Sequence, residues 1–60
     1  MRTYTISIPN NVRVYNRTRR ALPCKVYDGK MLFKVTAPLA EIERVQLDVR
    51  MMEGFAFTIV

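Results

Sequence analysis

Between Arg44 and Met51 the chain alternates without a miss, Val45, Leu47, Val49 and Met51 against Arg44, Gln46, Asp48 and Arg50. A strand with one buried face requires this period of two. Wound as a helix, the same residues would cluster Val45, Val49 and Met52 while turning Leu47 and Met51 toward water. Alternation resumes in Phe55, Phe57 and Ile59 after Met52-Glu53-Gly54. A three-residue loop there, with Gly54 in the left-handed region, sets Met51 opposite Phe55, Val49 opposite Phe57 and Leu47 opposite Ile59. A slip of one residue would turn every side chain to the wrong face, so the pattern selects this register. The C-terminal third is therefore expected to be a β-hairpin, its final apolar strand leaving an edge open to strand addition.

The remaining segments follow from the same reasoning. In Arg2 to Ile8, Tyr4, Ile6 and Ile8 alternate with Thr3, Thr5 and Ser7, a strand rich in β-branched residues. Pro9-Asn10-Asn11 has turn chemistry. Val12 and Val14 then alternate with Arg13 and Tyr15, a short second strand, and Asn16 to Arg20, which has no apolar residue, reads as an exposed loop. Asp28-Gly29 suits a two-residue hairpin turn that pairs Tyr27 with Lys30, Val26 with Met31, Cys24 with Phe33 and Leu22 with Val35. Thr36 to Glu43 breaks the alternation. With Pro38 at a first helical position, Glu41 near the positive end of the dipole, and Leu39 and Ile42 on one face, it predicts one or two helical turns.

These elements make a single domain over residues 1–60, mainly β, either all-β or small α+β. The expected architecture is a rolled antiparallel sheet or small open barrel of five to six short strands with one short helix. The main alternative is a helix from Leu39 to Met52 packed on a four-stranded sheet. A chain of 60 residues buries only about 60% of the surface its unfolded form exposes, so it needs a staple. Cys24 is the only cysteine and histidine is absent, which leaves neither a disulfide nor a metal site. Self-association is the remaining staple, and the surplus of apolar residues, Met51, Met52 and Phe55 among them, points to a homodimer or a sticky partner surface. The unpaired cysteine fits a reducing compartment, and no segment approaches a signal peptide or a spanning helix, so the expected location is cytoplasmic, without membrane contact.

Charge is the feature that speaks to function. Arg2, Arg13, Arg17, Arg19, Arg20 and Lys25 precede Val26 with no acidic residue among them, whereas all five acids follow it. A confined positive field attracts polyanions more strongly than the same charge spread evenly. Arg13, Arg17, Arg19, Arg20 and Lys25 suit phosphate oxygens, and Tyr15 suits stacking on a base. The sequence therefore predicts a small, non-catalytic accessory or regulatory protein that binds DNA or RNA. The alternative is an interaction module or small inhibitor that docks an acidic protein through the same arginine-rich segment, or another partner through a sheet edge.

Catalysis has little to stand on. Asp28, Glu41, Glu43, Asp48 and Glu53 fall on no recognisable shared site, the lone Ser7 has no base, and Cys24 points inward in the expected hairpin. No enzyme activity, cofactor or small-molecule substrate is expected. Ile6 to Arg13 followed by Val26 to Val35 resembles the looped-hairpin transcription regulators in its Ile-Pro and Asp-Gly elements. That resemblance implies interleaved hairpins in a dimer, carries no site residues with it, and leaves residues 36–60 without a counterpart.

Overall fold

The computed structural model describes Arg2 to Val60. These residues form a mixed α+β domain of four antiparallel strands in one open sheet with two helices. The elements are β1 (Arg2–Ser7), α1 (Val12–Ala21), β2 (Lys25–Gly29), β3 (Leu32–Ala37), α2 (Leu39–Glu53) and β4 (Thr58–Ile59). The sheet order is β2-β3-β1-β4. Since every neighbouring pair is antiparallel, β1 and β2 run parallel with β3 between them, and β3 and β4 run parallel with β1 between them. Two split β-α-β units thus interleave, the topology of ferredoxin-like folds.

The expected barrel of five to six strands with one helix is therefore replaced by an open four-stranded sheet and two helices, close to the alternative of a helix from Leu39 to Met52. The alternation from Val45 to Met51 misleads because α2 buries a different set. Ile42 and Val49 are fully buried, with Val45, Gln46 and Glu53 half-buried on the same stripe. This is the i, i+3, i+4, i+7 spacing of a helix face. Two polar members of that stripe hide it from a hydropathy pattern, and both are satisfied. Gln46 Nε2 donates to the Phe57 carbonyl at 2.8 Å, and Glu53 accepts from Arg17. Leu47 and Met51 point to solvent instead, 58% and 76% exposed. Gly54 adopts φ 90° and ends the helix, its N–H bonding to the Arg50 carbonyl, so the residue expected to turn a hairpin caps α2. Pro38 is the residue before the helix rather than its first member.

The expected strand at Val12 to Tyr15 and loop at Asn16 to Arg20 are one helix, α1. Asn11 caps it, its Oδ1 accepting from the Arg13 and Val14 N–H groups at 3.0 and 3.1 Å. Arg19 and Arg20 lie in the last turn, where the dipole favours cations, and Pro23 follows the end. The buried stripe is Val14, Thr18 and Leu22, four residues apart. A threonine in its middle is what made the segment read as polar. With this helix and α2 in place, the likeness to looped-hairpin regulators does not extend to the fold.

β1 is the strand the sequence implies. It pairs with β3 along its length, placing Ile6 opposite Phe33 and Tyr4 opposite Val35. The β2–β3 hairpin exists, but in a different register. Lys25 meets Val35, Val26 meets Lys34 and Tyr27 meets Phe33. The ladder then shifts between Tyr27 and Gly29, so the turn falls on Lys30-Met31, both left-handed at φ 49° and 62°. A type I′ turn requires positive φ at both positions. This register puts Tyr27 on the same face as Phe33, where the rings of Tyr15, Tyr27 and Phe33 lie 5.5 to 6.5 Å apart. Such ring pairs contribute about 0.5–1.5 kcal/mol each, which the Asp28-Gly29 turn would forfeit by placing Tyr27 and Phe33 on opposite faces. Cys24, expected to point inward, is exposed with φ 44°.

The core lies between the helices and one sheet face. Ile6, Ile8, Phe33, Val35, Ala37 and Phe57 come from the sheet layer, Val14 and Leu22 from α1 and its end, and Ile42 and Val49 from α2. The other sheet face carries Thr3, Thr5, Ser7, Leu32, Lys34 and Thr36 from its two central strands, and the Thr3 and Thr36 hydroxyls bond across the ladder at 2.9 Å.

Candidate functional site

Winding Val12 to Ala21 into a helix sorts the arginines that the sequence places together. Arg13, Asn16, Arg17 and Arg20, spaced i, i+3, i+4 and i+7, form one stripe and line a groove of about 390 Å³ between the helices. Asp48 and Glu53 of α2 form the opposite wall. Glu53 ties the two helices together. Arg17 Nε donates to Glu53 Oε2 at 2.8 Å, and Arg13 Nε lies 3.8 Å from Oε1.

The two ion pairs differ in kind. The Glu53 side chain is only 12% exposed, and Arg17 is 39% exposed, so this bond is short, shielded and structural. Arg13 is 85% exposed at a long distance, where such a pair contributes little and leaves the guanidinium free to exchange partners. Arg20 lines the same groove, while Arg19 is exposed off the stripe. Among the described residues neither Arg19 nor Arg20 has a carboxylate within ion-pair distance.

The other two expected site residues take structural positions. Tyr15 is half-buried, its ring 5.6 Å from Phe33 and 6.5 Å from Tyr27, and it anchors α1 on the sheet. Lys25 is half-buried, and its Nζ donates to the Leu22 carbonyl at 3.0 Å, closing the end of α1. The open sheet face offers no stacking surface, since among the described residues it bears no aromatic ring. The site is therefore an arginine stripe with two flanking carboxylates.

Asn16 is not among the residues that the charge pattern singles out, and Asp48 and Glu53, which fall on no shared site in the sequence, meet it in this groove. The signal that could have found the stripe is Asn11, a cap residue standing just before arginines at helical spacing, Arg13, Arg17 and Arg20. Asp48 and Glu53 share this groove although they lie in a stretch that alternates like a strand. Glu53 is engaged by guanidinium groups, so of the two carboxylates lining this groove only Asp48 stands outside an ion pair among the described residues. Among the described residues no three histidine, cysteine or acidic side chains gather in a way that could hold a metal ion. Among the described residues no helix is long and apolar enough to cross a membrane. No protein-family model, curated protein or solved structure matches the chain.

Proposed function

We propose that the protein is a small, non-catalytic nucleic-acid-binding accessory or regulatory factor, with Arg13 and Arg20 of the groove and Arg19 beside it as its contact surface. The observation that carries this reading is a capped helix with four arginines and no acid, of which Arg13, Arg19 and Arg20 are not held in a short ion pair. The helix fixes the spacing of their Cα atoms before any ligand arrives, which lowers the backbone entropy lost on binding. Their forks match phosphate oxygens. Binding follows from charge neutralisation, and the contacts read backbone rather than base sequence. Arg17 acts within the fold, holding the stripe against α2 through Glu53. Exposed Cys24 as a free thiol fits action in a reducing compartment such as the cytoplasm.

The test is anisotropy of labelled single- and double-stranded oligonucleotides across a salt series. Three phosphate contacts on a duplex give a logarithmic slope of about −2.7, so affinity falls roughly fortyfold between 50 and 200 mM salt. Arg13→Ala/Arg19→Ala/Arg20→Ala abolishes binding and leaves the fold intact. Absence of binding at low salt ends this reading. A second reading, in which the same groove docks an acidic or mixed-charge protein surface, draws on the presence of Asp48 and Glu53. Those carboxylates repel phosphate but match basic groups of a protein partner, and a pull-down that requires Arg13 and Arg20 would support it.

A further inference from the structure

We propose that a second copy of this chain docks on the β4 side of the molecule, joining the two sheets through β4 and packing α2 against its symmetry mate. Two independent features face that way. The first is a strand edge left open at Ile59 among the described residues. Val60 N–H donates to the Thr5 carbonyl, so Val60 is a hydrogen-bonded partner of β1. In an antiparallel ladder these alternate, which turns the backbone N–H and C=O of Ile59 away from β1 toward the open edge. Phe57, two residues earlier, shows the same direction, because its carbonyl is met from outside the ladder by Gln46 Nε2 at 2.8 Å.

The second feature is the flank of α2 that faces away from α1. Glu43, Gln46, Leu47 and Arg50 of this flank, with Phe55, line a groove of about 460 Å³ beside β4. Leu47 is 58% exposed and Phe55 44% exposed there. The flank is self-complementary. A two-fold axis passing the helix between Gln46 and Leu47 sets Glu43 of one copy opposite Arg50 of the other, and Arg50 opposite Glu43, with the two Leu47 side chains between them. This matters for a chain of net charge +5, because a neutral, paired flank is where copies can approach without repulsion.

The two features fit one axis. The Gln46 bond to Phe57 holds the middle of α2 level with the start of β4. Paired helices pack about 8–10 Å apart, and a four-stranded sheet is roughly 14 Å wide between its edge strands. Two helices centred on such a sheet each lie about 2 Å inside an edge strand, so adding a strand spacing of about 4.8 Å brings α2 and its mate to about 9 Å. Strand pairing and helix packing are then satisfied together. α1 lies on the β2 side, as the Tyr15–Tyr27 ring contact shows, so both arginine stripes remain outside the interface.

Sedimentation equilibrium of the full chain across a concentration series tests this. The expected mass at tens of micromolar is twice the 7.0 kDa of the chain. Leu47→Glu, at an exposed position, raises the dissociation constant at least about tenfold with an unchanged circular dichroism spectrum. Glu43→Arg and Arg50→Glu each weaken the dimer, and Glu43→Arg/Arg50→Glu restores it. A monomer mass throughout, a dimer indifferent to Leu47→Glu, or a failure of the double exchange to restore affinity overturns the proposal. None of these outcomes depends on whether nucleic acid binds.

Discussion

The two helices lie side by side on the same sheet face yet are built on opposite terms. α1 has four arginines, no acid and a side-chain cap from Asn11, and it buries only Val14 and Thr18 within its span. α2 is half as long again, carries Glu41, Glu43, Asp48 and Glu53 against Arg44 and Arg50, begins without a side-chain cap and ends on left-handed Gly54. Each helix buries two residues within its span, so the contrast lies in charge and caps rather than in depth of burial. Arginines can concentrate on α1 because the carboxylate that anchors Arg17, Glu53, comes from α2.

The largest test of this contrast lies within α2. Ile42→Ala removes a fully buried side chain and is expected to destabilise by about 2–5 kcal/mol, whereas Leu47→Ala, measured on dilute monomer, stays within about 0.5 kcal/mol. Urea unfolding measures both. Equal losses would restore the strand-like pattern in which Leu47 and Val49 face the core together. Next comes the link between the helices. Glu53→Gln removes a charge-assisted bond and is expected to cost about 1.5–3 kcal/mol, with strong coupling to Arg17→Ala in a double-mutant cycle. Additive effects would mean that α1 does not rely on α2. The smallest effect concerns Thr18, whose Oγ1 is buried with no hydrogen-bond partner among the described residues. Thr18→Val, of similar shape, is expected to stabilise by up to about 1 kcal/mol, seen as a higher melting temperature. A lower one would show that the hydroxyl has found a backbone acceptor.

How much of this was legible differs by element. β1 was, because each of its apolar residues faces the core and period two has no competitor there. The β2–β3 hairpin was legible as a hairpin but not in register. Asp28-Gly29 is a strong local turn signal, yet the contact of Tyr27 with Tyr15 and Phe33 moves the turn to Lys30-Met31. α1 is hidden in the sequence because Thr18 stands in its buried stripe; the first turn of α2 is legible in Leu39 to Glu43, while its continuation reads as a strand because Gln46 and Glu53 stand in its buried stripe. Of the expected contact residues, Arg13, Arg17 and Arg20 do converge on one groove, and Arg19 is exposed beside them. Tyr15 and Lys25 were drawn into the fold by partners far from or just before them in the chain.

From its residues alone, this protein was bound to have one small core, an N-terminal strand, a hairpin near Gly29, and a basic front half unrelieved by acids. Local chemistry suffices for these, since β1 alternates with no polar residue in its buried set, Gly29 favours a reversal nearby, and charge needs only a count. Tertiary structure decided which stretches became helices, where the hairpin turned, and which arginines stayed free. A polar residue can line a core when another segment completes its hydrogen bonds, as Phe57 does for Gln46 and Arg17 for Glu53. A one-dimensional pattern holds no record of that partner until the chain has folded back on itself.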